Sequence, residues 1–353
     1  MAKAKNKDKY PPFNFNDEVK KLNKQGLKRL YFIWGPEDYL SDLFVEEIRK
    51  LCVPEDVADF SYHRFSERDY SARALADAID SVPFLTERTM VEVRGLDLNK
   101  LLEEEVQDLG EALKEIPDYC TVVFVEPSEF EPDKRKKVYK ILLRNCCELY
   151  VSEQQNDALV GWVVKRFAAE GKRIETNAIQ RLLFISGSLM NMLIPEISKI
   201  AGYAKGDVVT VADVDAVAHH VPDAIVFDMM DSLSVGEVGK AMYLFDDLLA
   251  DKSNTPEYLI SIFGSQVRRL FGAKMAIECG DGADYLRKYY GVNLNFAANK
   301  LMNAARRYSV NQLKRFVELC AETEYIIKNA TALESKDSLK ECVMRIAMGE
   351  GDE

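Results

Sequence analysis

Up to about residue 150 the chain alternates between short apolar runs and stretches whose apolar residues recur at helical spacing. Arg29–Trp34 ends at Gly35-Pro36 and has the composition of a buried strand. Beyond that turn Leu40, Leu43, Phe44, Ile48 and Leu51 share one helical face, with Asp38 placed to cap the helix and Pro54 to close it. Asp59–Phe65 alternates with period two, as a second strand does. Ser71 caps a helix running through Ile79, and Met90–Val93 is a short strand stopped by Gly95. Asn99–Ile116 reads as a charged amphipathic helix, Thr121–Glu126 as a buried strand, Lys134–Cys146 as a helix with a basic start, and Glu148–Val151 as a last short strand. Strands alternating with helices predict a parallel α/β domain over 28–151, behind a tail and lead-in over 1–27.

From Ser152 the strand signals stop. Helical spacing covers Asp157–Ala169, Thr176–Ile185 and Leu189–Ala204, and Thr210 caps a helix to about His219. These predict a small helical domain over 152–221. Pro222 opens a third, all-α region over 222–353. Its helices are expected over Ile225–Leu233, Glu237–Leu249, Pro256–Cys279, Leu294–Tyr308, Val310–Lys328 and Ser338–Met348. Their apolar positions are core first and a partner-packing face second.

The bulk numbers narrow the function classes. A chain of 353 residues with 47% hydrophobic and 30% charged residues is a folded protein of more than one domain. A net charge of −11 argues against a protein that holds nucleic acid chiefly by its own phosphate contacts. Two basic segments remain, the tail Met1–Lys9 and the run Lys134-Arg135-Lys136-Lys137; each is either a solvated face or a local DNA contact. The cysteines form no Cys-x-x-Cys, and with three histidines no zinc set assembles, so no metal is expected and a reducing cytoplasm fits. His63 is expected at the surface of its strand, and His219-His220 at a hinge or surface. No apolar run reaches membrane length, so no membrane partner is expected.

Strand, Gly-containing turn and helix is the layout of a phosphate-binding loop, but its chemistry is missing. A P-loop needs G-x-x-x-x-G-K-[ST], so that backbone N–H groups, a Lys and a hydroxyl reach phosphate and Mg²⁺. Gly35-Pro36-Glu37-Asp38 offers a proline without an N–H and two carboxylates that repel a triphosphate. The strand ending at Glu126 is followed by Pro127, so the acidic pair of a nucleotide-hydrolysing site is missing too. No nucleotide cofactor is therefore expected. The remaining oddity is Pro83-Phe84-Leu85, an apolar connection between a helix and a strand where polar residues are usual. It is either packed beneath its own domain or offered to a partner.

Four stretches together resemble a known family: Leu30–Leu43 (LYFIWGPEDYLSDL), Pro83–Arg94, Leu193–Tyr203 (LIPEISKIAGY) and Ile225–Leu233 (IVFDMMDSL). In their order and spacing the chain is similar to the delta subunit family of bacterial DNA polymerase III, the clamp-loader subunit that opens the sliding clamp. The resemblance spans nearly all of 28–348. It implies an AAA+-like first domain with a degenerate P-loop, then an all-α lid and an all-α collar. It also implies no catalysis by the chain alone, although as part of the holoenzyme it is grouped with DNA-directed DNA polymerase. The implied partners are the sliding clamp (beta), the clamp-loader subunits delta prime and gamma/tau, and primed DNA through the assembled complex. The family's apolar clamp wedge matches Pro83 and Phe84, with Leu85 beside them; Pro83 departs from the Leu often found there. The competing expectations are an active P-loop NTPase with a divergent loop, and a helical scaffold outside replication.

Overall fold

The computed structural model describes residues 10–53, 61–128, 130–144, 146–154, 156–292, 295–329 and 331–349. The basic tail Met1–Lys9 and the start of the strand expected from Asp59 lie outside the described residues. The chain divides into two compact units. The first runs to Ala158 and includes Leu189–Asn191; the second takes up Leu159–Ser188 and the chain from Met192 on.

The first unit is built on β1 (Leu30–Trp34), β2 (Tyr62–Ser66), β3 (Thr89–Arg94), β4 (Cys120–Val125) and β5 (Cys147–Tyr150), all parallel, in the order β2-β3-β4-β1-β5. The register pairs Leu30 with Val122, Thr89 with Cys120, Tyr62 with Met90 and Tyr31 with Cys147. Central parallel strands are covered on both faces, which is why β1 and, apart from Thr121, β4 are apolar without alternation and buried throughout. One face carries α3 (Ala72–Asp80), α4 (Glu103–Ala112) and α5 (Lys137–Leu142), whose Leu75, Ile79, Val106, Leu109, Val138 and Leu142 join the core. α1 (Phe15–Gln25) packs on α2 (Asp38–Cys52), which buries Phe44, Val45 and Ile48.

Several expectations change. The lead-in contains α1, with Asn14 Oδ1 accepting from the Asp17 N–H at 3.3 Å; only Leu22 of that helix is buried, too little apolar signal for a helix to be read there. Asp38 is the first residue of α2 and not its cap, because Glu37 occupies the cap position. α4 starts at Glu103 and not Asn99. The Asn99 side chain is engaged with Glu131 O, Asp133 N and Tyr139 Oη, and that holds the segment out of a helix. α5 starts at Lys137, so Lys134-Arg135-Lys136 form a turn before it, fixed by Asp133 accepting from the Arg135 N–H and guanidinium. His63 is half-buried, with Nε2 lacking a hydrogen-bond partner among the described residues.

α6 (Asn156–Ala169) and α8 (Met190–Tyr203), whose first residues belong to the first unit, and α7 (Thr176–Ser186) and α9 (Val211–Val217) of the second follow the expected helices, although α9 stops short of His219. Strands do not stop at Ser152, however: β6 (Arg173–Ile174) and β7 (Val208–Val209) form a small parallel pair. Then come α10 (Pro222–Ser234), α11 (Val238–Ala250), α12 (Pro256–Glu278), α13 (Ala283–Tyr290), α14 (Asn295–Ala305), α15 (Val310–Ile327) and α16 (Ala332–Ala347). The long α12 is the axis, with Ile260, Phe263, Val267 and Leu270 in a core shared with Phe245, Leu313, Phe316 and Val343. α13 is a helix that the apolar spacing of the sequence does not predict. It packs where Gly272 of α12 has no side chain; a Cβ there would fall 2.3 Å from the Tyr290 ring. α16 begins earlier than Ser338 because Thr331 and Glu334 form a capping box.

Candidate functional site

The connection 81–88 leaves α3 and enters β3. Pro83 is half-buried, while Phe84 is 59% exposed and Leu85 71%. Val82, which the sequence did not single out as a site residue, is 73% exposed. Its only signal was an apolar residue before a proline, a position biased to extended backbone. Val82, Phe84 and Leu85 are therefore not packed into the core of their own domain. Leu85 has φ +59°, and among the described residues it is the only non-glycine with positive φ. A Cβ in that region crowds its own backbone and costs about 1–2 kcal/mol.

The backbone around this corner is tied down while its tip stays open. Buried Ser61 donates from Oγ to Phe84 O at 3.4 Å and lies 2.8 Å from Thr86 Oγ1. Thr86 Oγ1 donates to Arg88 O at 2.8 Å, and the Thr89 N–H donates to Tyr119 O at 2.8 Å. The strand below is tied in by buried polar contacts. Glu92 in β3 is buried, accepts from Tyr62 Oη at 2.6 Å and from Arg94 Nε at 2.7 Å, and so keeps an acid inside a strand. Two large apolar side chains thus project from a strained corner on a fixed base. That can contribute contact area to a partner with little ordering cost.

At the would-be nucleotide loop, the Gly35 backbone has φ +135°, and a Cβ there would lie 2.5 Å from Val151 O. The end of β5 is thus seated directly on the turn, with the Glu37 N–H donating to Val151 O at 3.3 Å. Glu37 is fully buried and both its carboxylate oxygens lie 3.3 Å from the Met190 N–H. Burial pushes its carboxyl up to about 7. Asp38 is also raised by burial, against a lowering hydrogen bond from Ser128. Glu126, at the end of β4, is buried, with Oε2 lacking a hydrogen-bond partner among the described residues; burial and nearby Asp97 push it up to about 8. Burial thus holds Glu37 and Glu126 toward their neutral form at this place, where a P-loop would present a lysine to phosphate.

The basic run does not form one patch. Lys134 Nζ donates to Glu148 Oε1 at 2.5 Å and sits over the Tyr10 and Trp34 rings at 5.0 and 5.9 Å. Arg135 is bidentate on Asp133, and Lys136 Nζ donates to Asn99 O. Lys137 is exposed, with no ion pair among the described residues. No group of three or more His, Cys, Asp or Glu able to hold a metal occurs among the described residues. There, no helix is long and apolar enough to cross a membrane.

Comparison with known proteins gives one family. Residues 31–152 match the family described as DNA polymerase III, delta subunit, and residues 223–343 match DNA polymerase III delta subunit, C-terminal domain. The chain is 25% identical over 320 residues to DNA polymerase III subunit delta of Bacillus subtilis, covering 88% of this chain and 91% of that protein. It is 26% identical over 157 residues to a probable DNA polymerase III subunit delta of Aquifex aeolicus, covering 44% and 45%. In fold it is similar to the DNA clamp loader delta protein of Bacillus subtilis, with a TM-score of 0.50 and 21% identity over 95% of this chain and 100% of that one.

Proposed function

Since the chain belongs to the DNA polymerase III delta subunit family, and is thereby a non-catalytic component of a clamp loader in DNA replication, we propose that it binds the sliding clamp through Phe84 and Leu85. Val82 flanks them and Pro83 sets the entry of the corner. The observation that carries this reading is the pair of exposed apolar side chains at a positive-φ corner whose backbone is tied beneath them.

Opening the clamp then needs no chemistry in this chain. A ligand shifts an equilibrium by its differential affinity for the two states, so the wedge favours the opened clamp to the extent that it fits that form better. The ATP-driven step falls to the gamma/tau subunits. In this reading 28–151 carries the clamp contact and the degenerate nucleotide loop Gly35-Pro36-Glu37-Asp38, 152–221 is the lid, and 222–353 is the collar that meets delta prime and gamma/tau. Exposed Tyr243, Tyr325 and Met348 supply apolar contacts suited to that role. Primed DNA is met by the assembled complex. Pull-down of the purified clamp by the wild-type chain and by Phe84→Ala, beside thermal melts of both, tests the proposal. Retained clamp capture by a folded Phe84→Ala chain would sink it.

A further inference from the structure

The sequence divides at Pro222, but a row of charges inside the second unit crosses that point. Arg181 of α7 donates from Nε to Asp215 Oδ1 of α9 at 2.6 Å, and its Nη2 lies 3.8 Å from Asp228 Oδ2 of α10. Lys300 of α14 donates from Nζ to the other Asp228 oxygen at 3.4 Å and reaches Asp231 Oδ2 at 3.0 Å. Asp228 thus faces one cation from before Pro222 and one from after it. The Arg181 and Asp228 side chains are 17% and 22% exposed, so solvent screens them less than a pair at the surface.

An aromatic pair accompanies the charges. Phe184, three residues on from Arg181, meets Phe227 edge-on with ring centroids 4.8 Å apart. Although it belongs to α7, Phe184 packs against the core shared by the helices after Pro222. The Arg181 guanidinium lies over the Phe184 ring at 5.7 Å, and the Lys300 ammonium over the Phe227 ring at 5.5 Å. Each cation therefore engages a carboxylate and one ring of the pair. The backbone leading into Pro222 is held as well. The Val221 N–H donates to Ile185 O at 2.7 Å, the Ser186 hydroxyl to His219 O at 2.9 Å, and the His219 N–H to Glu196 Oε2 at 2.8 Å.

A joint needs a few residues free to change φ and ψ. Around Pro222 those residues are hydrogen-bonded to α7 and α8, and the elements on either side share rings, charges and a core. We infer that Arg181, Asp228 and Lys300 form a clasp that makes α7, α9 and α10–α16 one rigid body, so that a displacement imposed on α10–α16 by a partner subunit is carried into α7 and α9 and not absorbed at Pro222. The inference rests on the second unit alone and stands apart from the clamp-binding reading.

Double electron–electron resonance on the full chain tests it, with nitroxides attached through p-acetylphenylalanine at exposed Ala216 of α9 and Lys314 of α15. The wild type should give a single narrow distance distribution. Arg181→Met/Lys300→Met keeps the apolar stems and removes both cations; Asp228→Asn keeps the volume and removes the carboxylate they share. Each should widen the distribution about twofold, and a thermal melt of each shows that the variant measured is folded. A broad or two-peaked wild-type distribution would put a joint at Pro222 and overturn the inference. A wild-type width kept by either variant in folded form would overturn it too, because the rigidity would then owe nothing to the clasp.

Discussion

Replacing Glu126 by glutamine probes the degenerate nucleotide site from the inside. The wild-type carboxyl is buried at the end of β4, with Oε2 lacking a partner among the described residues, and burial raises it to about 8 from the ordinary 4.5. Below pH 4.5 the group is protonated in both states and costs nothing. From there to about 8 the unfolded chain ionises while the folded chain holds its proton, so stability falls as pH rises; above 8 the loss is complete. Each pH unit in that window carries at most about 1.4 kcal/mol. At pH 7, about 2.5 pH units above the ordinary value, the ceiling is about 3 kcal/mol. Relaxation around the carboxylate lowers the observable effect to about 1–3 kcal/mol. Glu126→Gln keeps the volume and removes the titration. Urea unfolding from pH 5.5 to 8.5 should show wild-type stability declining more steeply with pH than the variant, with the gap widest near pH 8. Glu37, raised to about 7, declines in both proteins and cancels from the difference. Parallel pH profiles for the two proteins would refute the reasoning.

Other outcomes follow from the same geometry. Gly35→Ala combines a φ of +135° with a Cβ 2.5 Å from a backbone oxygen, so it should cost about 3 kcal/mol or more in urea unfolding. Leu85→Gly relieves the positive φ but deletes the side chain. Its melting temperature should stay near wild type, while clamp affinity falls as it does for Leu85→Ala. Equilibrium dialysis should find no ATP binding at micromolar concentrations, with or without Mg²⁺; binding there would revive the divergent NTPase reading.

Much of the fold was legible because parallel strands in a covered sheet leave a simple trace. Leu30–Trp34 and Val122–Val125 are apolar without interruption, and the glycine after Trp34 marks the turn. The misread elements are those shaped by contacts distant in sequence. Asn99 escapes the helix because its side chain serves the loop before α5, more than thirty residues away. β6 and β7 have two residues each, too few to show a period. At the candidate site, Pro83-Phe84-Leu85 was visible as an apolar connection, but two things were not. Nothing in Phe-Leu-Thr announces a positive φ, which usually falls to Gly, Asn or Asp. The split between half-buried Pro83 and exposed Leu85 depends on Ser61 and Thr86, which anchor the corner. Likewise Glu37 reads in sequence as a charge facing a triphosphate, yet it is buried against an N–H of Met190.

The central claim is that Phe84 and Leu85 are a clamp contact and not structural core. In the free chain they are 59% and 71% exposed, so most of each side chain is available for burial on docking, worth about 1–2 kcal/mol apiece. Isothermal titration of the purified clamp with Phe84→Ala/Leu85→Ala, alongside calorimetric melts, measures both sides of that claim. The account predicts a clamp dissociation constant weakened about 30- to 1,000-fold, with unfolding free energy changed by less than about 1 kcal/mol. Wild-type clamp affinity in a folded double variant would contradict it, as would a variant whose fold collapses.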